Sequence, residues 1–188
     1  MTKCNGFTLV ELMVSVSILS ILAIVAIPNF SSFIVKMRVD SQISQLHRLL
    51  LTARNTAINS SYPVVVCPLN NSFQCSTNWQ QEISVFIDIN NDNSFSPDSD
   101  ETIIKVKKAV KPHEKLQYGL NRNRITFAPT GRTIGWGSNG TFKYCPNGHK
   151  NLSRGIVVAT SGRFYPSTDI DHDGKDESRG GKEIVCRE

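Results

Sequence analysis

The chain has 188 residues, which leaves room for one domain plus an elongated element. Its formal net charge of +5 permits contact with anionic polymers or headgroups but does not require it. The mean hydropathy of -0.20 hides a division, because Phe7 to Phe30 is almost wholly apolar while the rest is polar and turn-rich. No internal repeat or long low-complexity linker is present.

The N-terminus reads Met-Thr-Lys-Cys-Asn-Gly and then Phe-Thr-Leu-Val-Glu-Leu. In an ordinary secretory signal the small-residue cleavage site follows the apolar core. Here Gly6 precedes the core and no such site follows it, so the apolar segment is expected to stay in the mature protein. As a helix, Phe7 to Ile27 would span about 31 Å, enough for the hydrocarbon core of a bilayer. Lys3 places the N-terminus in the cytoplasm, on the vote of a single charge.

Glu11 is the anomaly of this segment, since a carboxylate inside an apolar helix is costly and marks a function or a partner. If the chain is cut after Gly6, Phe7 gains an α-amine about one helical turn away. Glu11 would then neutralise that amine or the one on a neighbouring subunit. The plainer alternative is an interfacial Glu reaching for headgroups.

Beyond Pro28 the apolar residues Ile34, Ile43, Leu46, Leu49, Leu50, Ala53 and Ala57 recur near helical spacing. Lys36, Arg38, Asp40, Gln42 and Arg48 occupy other faces. The pattern predicts one long helix over 7–59, bent or loosened at Pro28 where a backbone hydrogen bond is lost. From Ser60 the pattern changes to short strands with turns. They are predicted at Pro63 to Cys67, Ile83 to Ile87, Thr102 to Val106, Arg124 to Phe127, Thr141 to Cys145, Gly155 to Ala159 and Glu183 to Cys186. The reading is an α+β fold: a long N-terminal helix, transmembrane in its first half and amphipathic in its second, on a largely antiparallel sheet. The segments are 1–6, 7–59 and 60–188.

Of the five cysteines, Cys4 precedes the apolar segment and four follow it. An even set beyond an export signal reads as disulfides made in an oxidising compartment. Three connectivities are open. Cys67–Cys75 with Cys145–Cys186 is preferred, because the first closes a short local loop and the second ties down the chain end. Free buried thiols are the bland alternative, and no close C-x-x-C spacing favours zinc.

Asp169, Asp171, Asp173 and Gly174 resemble the start of a calcium loop. A complete EF-hand loop has a bidentate Glu at its twelfth position, which here is Gly180, while Glu177 falls at the ninth. Asp88-Asn90-Asp92-Ser94 is less complete still. Both are read as polar turns, with no metal assigned and no cofactor. Arg154, Arg163, Lys175, Arg179, Lys182 and Arg187 make the C-terminal part basic, with Phe164 and Tyr165 beside Arg163. Such a mixture suits phosphates and bases, yet Asp169, Asp171, Asp173, Asp176 and Glu177 interrupt it. The scattered histidines, and the absence of a G-x-S-x-G, H-E-x-x-H or P-loop motif, argue against an enzyme.

The run Gly6-Phe7-Thr8-Leu9-Val10-Glu11, the apolar stretch behind it and Pro28 resemble the N-terminus of type IV pilins and type II secretion pseudopilins. That resemblance implies cleavage by a prepilin peptidase between Gly6 and Phe7, N-methylation of Phe7, and a role for Glu11 in subunit entry into a filament. The leader departs slightly, being short and weakly basic. Trp79, Val85-Phe86-Ile87-Asp88, Phe127-Ala128-Pro129-Thr130-Gly131, Gly140-Thr141-Phe142 and Ser161-Gly162-Arg163 narrow it to the GspH/FimT family of minor pilins and pseudopilins.

That family implies a pilin-like fold and an inner-membrane protein with a periplasmic C-terminal domain, drawn later into a pilus or pseudopilus. The implied partners are other minor and major pilins or pseudopilins, prepilin peptidase and the inner-membrane assembly platform. One branch binds DNA through a basic motif after the glycine matching Gly162. Here Arg163 fits, Tyr165 occupies the second basic position, and Arg179 and Lys182 are the remaining candidates. Nucleic acid is not favoured. The expected role is a minor pilin in type IV pilus assembly, with a type II secretion pseudopilin or a DNA-binding minor pilin as alternatives.

Overall fold

A computed structural model describes residues 6–187, with the backbone alone for residues 25–29. The long helix α1, Leu9–Ser60, runs for 52 residues. The backbone of α1 is continuous through Pro28, where the sequence predicts a bend or loosening, and Cys4 lies outside the described residues. The division between compact units falls between Met37 and Arg38, so the second half of α1 groups with the sheets.

In the first unit the apolar side chains from Leu9 to Ile24 are exposed on every face of the helix. Three serines sit among them, and each returns its hydroxyl to the carbonyl four residues back: Ser15 to Glu11 (2.7 Å), Ser17 to Met13 (2.7 Å) and Ser20 to Val16 (2.8 Å). The hydroxyls are thereby satisfied without water. Among the described residues no helix is long and apolar enough to cross a membrane. The expected span to Ile27 draws on side chains outside that set.

In the second unit Val39, Ile43, Leu46, Leu49, Leu50, Ala53 and Ala57 are buried. Ile34, predicted to share that stripe, is 46% exposed and belongs to the first unit. The stripe closes a core formed with two antiparallel sheets. The first contains β1 (Val64–Pro68), β2 (Ile83–Ile87), β3 (Ile103–Lys107), β5 (Ile125–Phe127) and β6 (Thr133–Ile134), in the order β3-β2-β1-β5-β6. The second contains β4 (Lys115–Tyr118), β7 (Gly140–Cys145), β8 (Arg154–Val158) and β9 (Phe164–Pro166), in the order β4-β7-β8-β9.

The strands β4, β6 and β9 escape the sequence pattern. Conversely, the strand predicted at Glu183 to Cys186 is only a single bridge, Glu177 to Glu183. Val185 in that segment is exposed, and its carbonyl accepts from the Lys143 ammonium at 2.9 Å, so side chains hold the segment where a strand ladder does not.

Charged groups fasten α1 to the sheets. Arg38 donates to Glu114 at 2.9 Å, and Glu114 also accepts from the buried Tyr144 hydroxyl. Arg154 bridges Asp40 of α1 and Asp176. Arg54 donates to the Gly131 carbonyl at 3.0 Å. The bonded pairs Cys67–Cys75 and Cys145–Cys186 have Cα separations of 5.5 and 6.2 Å. The first staples β1 to the loop that follows it, and the second joins β7 to the C-terminal segment.

Candidate functional site

Two regions carry the residues singled out from the sequence. At the start of α1, the Thr8 hydroxyl accepts from the Glu11 amide at 3.3 Å, while Glu11 Oε2 accepts from the Thr8 amide and hydroxyl, both at 3.0 Å. This reciprocal pair is a capping box, which satisfies amides that have no partner inside the helix. Glu11 therefore has a local structural task that the motif alone did not reveal, although the T-x-x-E spacing carried the signal. Gly6 and Phe7 lie just before the helix and are exposed.

The second region is a cleft of about 580 Å³ between α1 and the β8–β9 hairpin. His47, Leu51 and Arg54 line it from the helix, and Arg163, Phe164, Tyr165 and Arg179 from the other side. Arg179 stacks over the Tyr165 ring at 4.0 Å, and His47 meets Phe164 edge-on at 5.0 Å. The tyrosine at the second motif position thus carries a guanidinium from 14 residues further on, and three arginines converge where the sequence showed only Arg163 and a distant Arg179. Arg54 is the member that the sequence did not mark, because it belongs to no motif and its approach to the hairpin is a tertiary contact.

Backbone geometry sets this hairpin. Gly162 has φ +77°, and a Cβ there would lie 1.8 Å from the Gly131 carbonyl oxygen. The two glycine motifs, Thr130-Gly131 and Ser161-Gly162-Arg163, are therefore in direct backbone contact, and only glycine fits. The same Gly131 carbonyl accepts from Arg54.

Lys182 does not join this cleft. It lines a smaller one of about 220 Å³ with Lys143 and Arg187. Burial first, then the charges of Lys182 and Arg187, hold the Lys143 ammonium below the usual lysine range. Arg54, Arg163 and Arg179 thus line one cleft and Lys143, Lys182 and Arg187 another, while Arg154 and Lys175 pair with carboxylates.

The two acidic loops also differ. Oxygens of Asp169, Asp171, Asp173 and Glu177 all lie within 4.8 Å of one another. No second such group occurs among the described residues. In the other loop Asp88 instead accepts from the Asn93 amide at 3.1 Å, and Glu101 accepts from the amides of Ile89 and Ser96. Burial, ahead of its other contacts, holds the Asp88 carboxyl above the usual range.

The sequence model for type II transport protein GspH matches residues 42–162, and that for the prokaryotic N-terminal methylation motif matches residues 1–27. Among solved structures, the type IV minor pilin FimU of Pseudomonas aeruginosa is similar in two crystal forms. One gives a TM-score of 0.57 at 16% identity, covering 72% of this chain and 92% of that one. The other gives 0.52 at 16% identity, covering 69% and 92%. The minor pseudopilin EpsH from the type 2 secretion system of Vibrio cholerae is also similar, at a TM-score of 0.47 and 12% identity, covering 68% and 94%.

Proposed function

The chain belongs to the type II transport protein GspH family, and from that premise we propose that it is a minor pilin that takes part in assembling a type IV pilus, in a priming or tip complex. What carries this reading is the methylation motif lying on a helix that is apolar on every face. Such a surface has no aqueous use; it suits lipid before assembly and a bundle of like helices afterwards.

In this mechanism the chain enters the inner membrane through Phe7 to Ile27, and prepilin peptidase removes residues up to Gly6. Phe7 is then N-methylated. The assembly platform draws the helix into a filament, where apolar packing and the pairing of Glu11 with an amine hold it beside other pilins. The sheet domain stays on the periplasmic side, where the two disulfides are stable.

Mass spectrometry of sheared filaments tests this directly. The chain should be present at low copy number, begin at Phe7 and carry an added methyl group, and deletion of its gene should strip cells of pili. An intact Met1 terminus in cells with active peptidase, or normal piliation after deletion, overturns the proposal. Loss of type II protein secretion with pili unaffected would assign the chain to a pseudopilus instead.

A second reading, a DNA-binding minor pilin, rests on the cleft that Arg54, Arg163 and Arg179 line together with Tyr165. Guanidinium groups beside aromatic rings suit phosphates and bases. The acidic loop in the same C-terminal region opposes it, and assembly remains the favoured role.

A further inference from the structure

We propose that the loop from Asp169 to Glu177 binds one calcium ion through the carboxylates of Asp169, Asp171, Asp173 and the buried Glu177. The sequence pattern looked incomplete because the acid at the twelfth position is missing. The fold supplies a substitute, since the chain turns at Gly174 (φ +87°) and returns Glu177, the ninth residue, to the three aspartates.

Glu177 separates this loop from an ordinary solvated acidic turn. It is 4% exposed, yet its Oε1 has no hydrogen-bond partner. Its Oε2 accepts from the Ile170 amide at 2.8 Å. A buried carboxylate oxygen without a donor is expensive, and a bound cation would satisfy it. Glu177 is also held in place from several sides. Its amide donates to the Thr168 carbonyl at 2.9 Å, its backbone bridges to Glu183, and the preceding Asp176 is fixed by Arg154 at 3.1 Å.

The donors are all hard carboxylate oxygens, which selects calcium or magnesium over softer metals. Several protein carboxylates spread along one loop favour calcium, because magnesium retains most of its water and demands a tighter octahedron. One cation already touches the group: the Lys175 ammonium lies 3.0 Å from Asp173 Oδ2 and 3.0 Å from Glu183 Oε1. Calcium would compete with it for Asp173.

The test is calorimetric titration of the metal-stripped full chain in detergent with calcium chloride and, separately, magnesium chloride. The expected result is one calcium per chain, with a Kd of roughly 10⁻⁵ to 10⁻³ M and magnesium at least about tenfold weaker. Glu177→Gln keeps the shape and the Ile170 contact but loses the charge, and it should weaken calcium at least about tenfold. Asp171→Asn, at an exposed position where folding is not at stake, should do the same. Lys175→Gln should tighten binding by removing the competing ammonium. No binding up to about 10 mM calcium, equal affinity for magnesium, or unchanged calcium affinity in both carboxamide variants would overturn the site. None of these results depends on whether the chain enters a filament.

Discussion

Glu11 has one task in the structure and a second under the proposed function, and one substitution can separate them. Its carboxylate caps the first turn through Thr8, and the proposed assembly would pair its charge with an α-amine. Glutamine can replace glutamate in a capping box but brings no charge. Glu11→Gln should therefore insert and fold as the wild type does, yet fall at least several-fold in the sheared filament fraction, read by immunoblot. Normal incorporation of this variant would assign Glu11 to capping alone. Lys107 poses a different question for a single residue. It is 5% exposed, and burial holds its ammonium down to about 8, with Glu114 partly offsetting the effect. Its folded pKa lies below its unfolded value, so the unfolded state binds more protons as pH rises from about 8 towards 10.5. The burial penalty is thus fully present below pH 8 and is relieved across that window. Lys107→Met is expected to stabilise by roughly 2 kcal/mol at pH 7. In urea unfolding the gain should shrink as pH rises to 10.

The C-terminal segment is held by covalent and side-chain contacts in place of a strand ladder. Cys145–Cys186 closes a loop of sequence separation 41, while Ile184 is buried beside Gly155. Cys186→Ser paired with Cys145→Ser should cost about 2–5 kcal/mol in chemical unfolding and leave residues 183–187 open to protease. This segment also marks the limit of what the sequence revealed at the element level. Ile184, Val185 and Cys186 form an apolar run with every local sign of a strand, but pairing depends on a neighbour that local pattern does not encode. The strands that went unseen fail for the opposite reason. Lys115–Tyr118 alternates correctly, with Leu116 and Tyr118 buried, but over only four residues; Thr133–Ile134 has two; and Phe164–Pro166 ends in a proline. The long helix and the strand Ile83–Ile87 were legible because their periodicity is sustained or their β-branched content is high. In the basic cleft, Arg163 was visible from its glycine. The convergence of Arg54 and Arg179 on it requires a tertiary contact between segments far apart in sequence.

For the molecule as a whole, the choice lies between a surface that meets proteins and one that meets nucleic acid. The favoured reading predicts that the detergent-purified chain leaves duplex DNA unmoved at physiological salt in a gel-shift assay. Any low-salt shift should then vanish with modest added salt and be insensitive to Arg163→Ala. The second reading predicts a steep linear fall of log K with log salt, because each neutralised phosphate releases counterions. Arg163→Ala and Arg179→Ala would flatten that slope. Since Lys182 belongs to the other cationic group, Lys182→Ala should matter less than either arginine if the cleft between α1 and the β8–β9 hairpin is the binding surface.

The Cys145–Cys186 bond also determines how far this domain can be stretched. If the chain enters a filament as proposed, it would bear tension, and a chain pulled between α1 and a handle placed after Cys186 would yield its folded length piece by piece. The bond short-circuits the path of force, so the intervening stretch of sequence separation 41 stays slack even when every strand in it has come apart. At roughly 3.4 Å per residue, about 140 Å of contour is withheld from extension. That stretch holds β8, β9 and the whole acidic loop. Under load the cleft arginines Arg163 and Arg179 would travel together inside a closed ring, while Arg54, on the helix outside it, would be pulled away.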